Sequence, residues 1–387
     1  MSLYMIICLL LLVVPDLYIW FFFVRTNSHV WLNVAWWIPA AVAVAALCIW
    51  FSGHHSNALM RLFFVLLMCL AAPKAAFTLF SAVGMAAGHW SQTAATVLDS
   101  VGLAAAAAAC CCSIYGLTRG IERIEVREVE VVSENLPEEF DGYRMVQFSD
   151  LHIGSFGGDT RFVKRLVGLI NGLDPDVIVF TGDLINLSPD ELEPHLGILA
   201  GLRARDGIFS IAGNHDYCIY NRKEGGYEEH LASCKRLISL ERSMNWQVLL
   251  NRHSIISRGD ARIAIVGTEG WGFLLPNRWV NSNLKRGCEG LPENIFTVQL
   301  LHDPEFWQFY GKTTPRMIDL TLSGHTHAMQ FELFGFSPAA WRYDEWGGLY
   351  DFEGRKLYIS KGVGGTVPFR FGAWPEVSVI TLKRPQP

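Results

Sequence analysis

The chain has 387 residues, 51% of them apolar, and a net charge of -5 from 32 basic and 37 acidic side chains. A mild acidic excess with no block of Lys or Arg speaks against nucleic acid as a partner. The charges are unevenly spread: from Met1 to Thr118 only Asp16, Arg25, Arg61, Lys74 and Asp99 carry one, whereas from Arg119 onward acids and bases mix. That excludes a purely soluble protein and predicts a membrane part at 1–118, a connecting segment with an edge strand at 119–142 and a globular part at 143–387.

Four stretches, Leu3–Val24, Val34–Phe51, Leu59–Val83 and Val97–Leu117, approach the ~20 apolar residues that cross a bilayer. The count is four spans, with three as the alternative. Pro15-Asp16 and Pro73-Lys74 interrupt the first and third, and such charges are costly in hydrocarbon unless they face a protein interior or an interface. The span charges read as isolated, with no paired ionisable set, which argues against a transporter. The first stretch lacks the basic start of a signal peptide, so an anchor bundle is the better reading. Arg61 and the trio Arg119, Arg123 and Arg127 outnumber Arg25 on the opposite side, which favours a cytoplasmic C-terminal part. Nine cysteines offer no CxxC spacing, and Cys110-Cys111-Cys112 sits in an alanine-rich span as small packing residues.

Beyond the spans, Arg119–Val132 alternates and predicts a strand, and "LPEEFDGYRMVQFSDLHIG" predicts a turn and a second strand over Tyr143–Ser149. Thr160–Leu173 predicts an amphipathic helix capped by Asp159 or Thr160, with Phe162, Val163, Leu166, Val167 and Ile170 inward. Short apolar runs then end repeatedly in polar clusters: Val177–Thr181 in Gly182-Asp183, Ile208–Ala212 in Gly213-Asn214-His215-Asp216, Phe296–Leu301 in His302, and Ile318–Leu322 in "SGHTH". Strands alternating with helices indicate a layered α/β domain, whose ligands gather at the carboxyl ends of strands.

Those clusters form a coordination inventory: Asp150, His152, Asp183, Asn214, His215, His302, His325 and His327. Carboxylate, imidazole and amide oxygen suit Mn, Fe or Zn better than Mg or Ca, and the set is too large for one ion. Asp-x-His at a strand end puts Asp150 and His152 on one side. His325 and His327 grip one ion by the same reasoning, or neighbouring ions if the chain turns after Gly324. Asp183 has the lone pairs to bridge. The other seven histidines, His29, His54, His55, His89, His195, His230 and His253, fall outside these clusters.

The ordered blocks Asp150/His152, Gly182-Asp183, Gly213-Asn214-His215-Asp216, His302 and Gly324-His325-x-His327 resemble the calcineurin-like metallophosphoesterase superfamily over roughly Phe140–Leu382. The lead-in and the ending "GVGGTVPFRFGAWPEVSVITL" are similar to its bacterial membrane-associated branch of YaeI- and YkuE-like phosphoesterases. The resemblance implies a two-sheet β-sandwich flanked by helices. It assigns Asp150, His152 and His327 to one divalent metal, Asn214, His302 and His325 to a second, and Asp183 to the bridge. It makes His215 the donor to the phosphoryl oxygen or leaving alkoxide, with Asp216 or Asp183 orienting its ring. Relatives of this branch often continue with Gly-Gly-Gln where this chain has Ala328-Met329-Gln330.

The expected reaction is attack on phosphorus by a hydroxide held between two ions ~3.5–4 Å apart. Arg370 is a candidate for binding the substrate's charge, and the aromatic segment Trp341–Phe352 either lines a pocket or packs its own rings in a hairpin. The bilayer points to a phosphodiester or pyrophosphate in a lipid-linked substrate, such as a UDP-diacylglucosamine. The alternatives are a broad phosphodiesterase or phosphatase on soluble substrates and, less favoured, an inactive metal-bound sensor.

Overall fold

The computed structural model describes residues 3–26, 29–54, 56–221, 226–269, 273–275, 278–279, 283–308 and 318–385. His55, set aside above, lies outside them. The chain divides into two compact units, Met1–Arg119 and Gly120–Pro387.

The first unit is helical. α1 (Leu3–Ile19) continues through a wider π-helical turn at Trp20–Val24 and is followed by α2 (Val30–Phe51). α3 (Asn57–Leu66), a second π-helical turn at Leu67–Ala71 and α4 (Ala72–Gly88) form one run, and α5 (Gln92–Thr118) completes the unit. Among the described residues four runs, Ile6–Val24, Val30–Phe51, Asn57–Gly88 and Gln92–Glu122, are long and apolar enough to cross a membrane. α4 and α5 approach closely because Gly84 lies against Ala95 and Leu98, and Gly102 against Phe77 and Phe80. Small residues of this kind let helix backbones meet where no hydrophobic effect drives them together. The widened turn at Leu67–Ala71 leaves a backbone acceptor, and Ser113 Oγ donates to the Met68 carbonyl at 2.7 Å.

One expectation is corrected here. The span charges are not all isolated: Lys74 Nζ lies 2.5 Å from Asp16 Oδ1, with Asp16 only 2% exposed. Lys74 also sits over the Trp36 ring at 4.2 Å, and Trp36 Nε1 donates to the Asp16 carbonyl at 3.2 Å. Pairing offsets much of the cost of burying either charge alone.

The second unit is a sandwich of two six-stranded mixed sheets. The first runs β1 (Glu125–Val132), β14 (Glu376–Lys383), β2 (Arg144–Phe148), β3 (Val177–Phe180), β4 (Ile208–Ser210) and β5 (Trp246–Val248). The second runs β12 (Gly348–Phe352), β13 (Arg355–Ile359), β11 (Leu320–Ser323), β10 (Phe296–Leu300), β7 (Ala261–Gly267) and β6 (Arg252–Arg258), and β8 (Phe273–Leu275) pairs with β9 (Arg278–Trp279) apart from both.

Strand periodicity builds the layers. In β3, Val177 and Val179 enter the core between the sheets, while Ile178 and Phe180 face α6 (Arg161–Gly172) and α8 (Tyr227–Ser243). In β7, Ile263 and Ile265 point inward, and Ala264 and Val266 meet α9 (Leu284–Gly287). Being buried on both faces, these strands read as continuous apolar runs rather than alternating ones. The one-turn helix α7 (Leu196–Leu199) adds Leu199 to the first outer layer. α6 buries the five residues expected of it, but Thr160 makes no side-chain cap, and Asp159 Oδ1 accepts the Arg161 N–H at 3.0 Å instead.

β2, β3 and β4 are parallel and in register at Phe148, Phe180 and Ser210, and β10 and β11 run parallel to each other. Their carboxyl ends release five loops, and these loops carry all the clustered residues.

Candidate metal centre

Backbone geometry at the ends of these strands is unusual. Asp150 (φ 55°), His152 (45°), Asp183 (60°), His325 (72°) and His327 (52°) all adopt the left-handed region, which costs a non-glycine residue ~1–2 kcal/mol. Asp150 and His152 therefore share a side through a turn beyond β2, not through strand alternation as the spacing predicted. Inter-loop hydrogen bonds hold the turns: Asp150 N–H to the Gly182 carbonyl (2.9 Å), His152 N–H to Asp183 (3.1 Å) and Gly324 N–H to His302 (3.0 Å). Gly324 precedes His325 because a Cβ there would lie 2.3 Å from Asp150 Oδ2. Gly182, at φ 97°, would meet the Gly213 backbone nitrogen at 2.6 Å.

The loops bring the predicted donors into three overlapping groups with ligand atoms within 4.8 Å of one another: Asp150/His152/His327, His152/Asp183/His215 and Asp183/His302/His325. Two pairs of ring nitrogens face each other, His152 Nε2 with His327 Nε2 and His302 Nε2 with His325 Nδ1, each at 3.2 Å. Asp183 Oδ2 stands 3.5 Å from His152 Nε2 and 3.3 Å from His302 Nε2, between the two pairs. Asn214 Oδ1 lies 3.0 Å from His302 Nε2 on the far side. This nitrogen-rich donor set with one central carboxylate suits divalent metal ions.

Surrounding contacts fix the rings. His302 Nδ1 donates to the Thr181 carbonyl at 2.8 Å, which turns the Nε2 lone pair to the centre. His215 Nδ1 does the same to the Asn186 carbonyl at 2.8 Å. Burial opposes a charge on His302, yet Asp183 and Asp150 outweigh it and lift the pKa to about 10. The carboxylates thus favour positive charge at this spot, a demand that a divalent cation meets. Burial pulls His152 down to about 3, helped by His215, and also lowers His215 and His327. Burial would raise the Asp183 carboxyl, but His302 and His215 hold it well below the usual carboxylate range.

Two assignments are corrected. Asp216 does not touch the His215 ring; its carboxylate accepts the backbone N–H groups of Asp183, Leu184 and Gly213 at 2.8 Å each, so it shapes the loops that present Asp183 and Asn214. Burial, with Asp183 adding to it, pushes the Asp216 carboxyl up to about 7. Arg370 is not placed to bind substrate. It is 1% exposed and donates to the backbone carbonyls of His327, Lys361, Gly362, Gly364 and Ala373, with Nη2 also 3.3 Å from His327 Nδ1.

The sequence reading missed Tyr220 and Asp303. Tyr220 stacks beside His215 with ring centroids 4.3 Å apart, and its hydroxyl accepts from Asn214 Nδ2 at 3.0 Å, which leaves Asn214 Oδ1 toward His302. Asp303 Oδ2 lies 3.7 Å from His325 Nε2. Their only sequence signal is adjacency to a ligand block. The aromatic segment splits: Gly348–Phe352 is a strand of a hairpin, Phe352 packs on Trp307 at 5.0 Å, and Trp341 is 80% exposed.

Comparison with known proteins agrees with this geometry. A family model described as "Calcineurin-like phosphoesterase" matches residues 143–329, and one described as "Probable Calcineurin-like phosphoesterase, transmembrane domain" matches residues 1–121. The "Uncharacterized metallophosphoesterase YkuE" of Bacillus subtilis is 33% identical over 281 residues, 70% of this chain and 90% of that protein. A "Transmembrane protein with metallophosphoesterase domain" of Danio rerio is 28% identical over 313 residues, covering 78% of this chain but only 64% of its own length. The "UDP-2,3-diacylglucosamine pyrophosphatase LpxG" of Chlamydia trachomatis is 27% identical over 301 residues, 64% of this chain and 86% of that protein.

Proposed function

The chain belongs to the calcineurin-like phosphoesterase family, a hydrolase family, and from that premise we propose that it is a dinuclear phosphoesterase acting on a lipid-linked phosphodiester or pyrophosphate. The observation that carries the dinuclear reading is Asp183 Oδ2, within 3.5 Å of one ring nitrogen from each histidine pair. Asp150, His152 and His327 would hold one divalent cation, Asn214, His302 and His325 the other, and Asp183 both. Held by these residues, Mn, Fe or Zn would supply a water acidic enough to deprotonate near neutral pH and would neutralise charge on the phosphoryl oxygens.

The chain's own residues do the rest. His215, half-buried and neutral with Nδ1 bound to the Asn186 carbonyl, presents Nε2 to the reacting group. It takes up a proton from solvent at Nε2 as the anionic phosphoryl group arrives, and then hydrogen-bonds a phosphoryl oxygen or gives that proton to the leaving oxygen. Asp216 and Arg370 keep the ligand loops in place, and Tyr220 keeps the Asn214 amide oriented.

The lipid-linked reading rests on the four apolar helices and on similarity to a protein named for UDP-2,3-diacylglucosamine. Action on soluble phosphodiesters or phosphomonoesters is the second reading, favoured by the altered Ala328-Met329 beside His327. The Arg119, Arg123 and Arg127 trio after the last span supports a cytoplasmic catalytic unit, and activity of a C-terminal reporter only outside the cytoplasm would overturn that assignment.

The functional test counts metal in the purified full-length protein. It then measures hydrolysis of bis-p-nitrophenyl phosphate, p-nitrophenyl phosphate and a UDP-linked diacylated sugar, with Asp183→Asn and His215→Ala as controls. Two metals per chain and turnover lost in both variants are expected. Full activity in Asp183→Asn would sink the dinuclear mechanism, and preference for the simple esters would favour the second reading.

A further inference from the structure

Six residues after the last ligand histidine, the chain makes a tight exposed turn, Leu333-Phe334-Gly335-Phe336, that the catalytic reading does not use. Leu333 and Phe336 exchange backbone hydrogen bonds at 2.9 and 3.0 Å, with Phe334 (φ 52°) and Gly335 (φ 79°) both left-handed at the tip. Phe334 is 99% exposed, Leu333 45%, Phe336 46% and Trp341, which packs on Phe336 with ring centroids 5.6 Å apart, 80%. Four large apolar side chains on one protrusion are not explained by folding, since side chains left this exposed contribute little to the unit's own core.

We propose that this turn is a wedge that inserts into the interfacial layer of the lipid bilayer and holds the metal centre at the membrane surface. Three observations select a bilayer as the occupant. Trp and Phe on a convex tip are the side chains that partition into the interfacial layer. A four-residue protrusion offers little of the ~800 Å² per partner that a stable protein interface takes.

The third observation is continuity within the catalytic unit between the tip and the segment through which the chain enters from its last span. Arg123 lies over the Trp374 ring at 4.7 Å, Trp374 meets Phe371 at 6.0 Å, and Phe371 stacks on Phe331 at 5.8 Å, two residues before the tip. Gly120 packs directly on the Arg370 carbonyl. The tip and the membrane-exit segment thus share one layer of side chains.

The same tip is tied to the metal centre. Ser337 Oγ, one residue past the turn, donates at 2.6 Å to the carbonyl of Ala328, the neighbour of His327. A wedge anchored in lipid would therefore present the mouth of the site to headgroups, which deepens the lipid-linked reading above and rests on it only for the choice of substrate.

The test uses full-length protein in nanodiscs of phosphatidylcholine and phosphatidylglycerol, with p-benzoylphenylalanine in place of Phe334 and, separately, of Asp260 in the exposed turn between β6 and β7. On irradiation, lipid adducts at position 334 and none at 260 are expected. Absence of lipid adducts at 334, or crosslinks there to a second copy of the chain or another protein, would overturn the proposal. In a second arm, Phe334→Ser with Trp341→Ser should lower kcat/KM for the UDP-linked diacylated sugar about tenfold while leaving bis-p-nitrophenyl phosphate turnover unchanged. Equal rates on both substrates in variant and parent would overturn the presenting role. An inactive parent that still forms lipid adducts would sink the catalytic reading and leave the wedge standing.

Discussion

At the scale of single residues, the centre is assembled from side chains whose own backbone resists the conformation they hold. The left-handed run does not stop at His327 but continues through Ala328 (φ 49°), Met329 (46°) and Gln330 (59°). At Ala328 and Met329 the chain accepts strain and restrains it with the Ser337 hydroxyl on the Ala328 carbonyl and with Gln330 Nε2 on the Val367 carbonyl, both at 2.6 Å. Met329 is half exposed, so replacing it disturbs little packing. Met329→Gly is therefore expected to raise the thermal midpoint of the catalytic unit by ~1–3 °C, the relief of a left-handed side chain less the entropy that glycine adds to the unfolded chain. Met329→Val, β-branched, should lower it; calorimetry on the two purified variants decides the sign. Arg370 is the complementary case, a residue that restrains others. Arg370→Met removes the donor to five backbone carbonyls and should weaken metal binding by ~10–100-fold, as loss of outer contacts to metal ligands generally does. Metal titration followed by calorimetry would show it, and unchanged affinity would mean that the loop holds itself.

At the scale of elements, strands were legible because their apolar runs are short, end in polar clusters and are buried on both faces. α6 was legible because Phe162, Val163, Leu166, Val167 and Ile170 repeat at helical spacing. What was not legible are contacts that depend on how elements are laid side by side. Asp216 looked like a partner for the adjacent His215, yet the sheet directs it to the backbone of the neighbouring loop. Glu241 gave no signal at all: it lies in α8, 1% exposed, with Oε2 2.5 Å from Ser210 Oγ on β4. Burial, with Asp216 adding to it, raises its pKa from 4.5 to about 8. The folded protein then keeps a proton that the unfolded chain has already lost, so stability falls as pH rises from about 4.5 through about 8 and levels off above. Glu241→Gln keeps the hydrogen bond to Ser210 and loses the titration. It should be more stable than the parent at pH 8 by on the order of 1 kcal/mol or more, and nearly equal to it at pH 4. Midpoints measured across that range test this, and parallel curves for variant and parent would refute it. A residual slope of the same sign is expected from Asp216, whose pKa is also raised, to about 7.

At the scale of the whole molecule, the chain joins a unit selected for hydrocarbon to one selected for water, and each holds charge away from solvent by pairing it. In the second unit the paired charges gather at the candidate metal centre. In the helical unit Asp16 and Lys74, 58 residues apart, close a contact that no local pattern announced, because only the packing of α1 against α4 brings them together. Trp36 completes it from α2, so three of the four apolar runs meet at one ion pair. Breaking the pair from one side should then loosen the bundle as a whole. Lys74→Met strands the Asp16 carboxylate among apolar neighbours and is expected to destabilise the unit by ~3–5 kcal/mol, whereas Asp16→Asn combined with Lys74→Met should recover most of that loss, since a buried pair replaced on both sides is close to neutral. Unfolding of the full-length protein in detergent, followed by circular dichroism of the helical signal, measures both. If the double variant regains stability and its bis-p-nitrophenyl phosphate turnover matches the parent, the pair acts as a clamp between helices. If it regains stability but loses turnover, the charges act on the catalytic unit as well as on their own bundle, and the membrane part is more than an anchor.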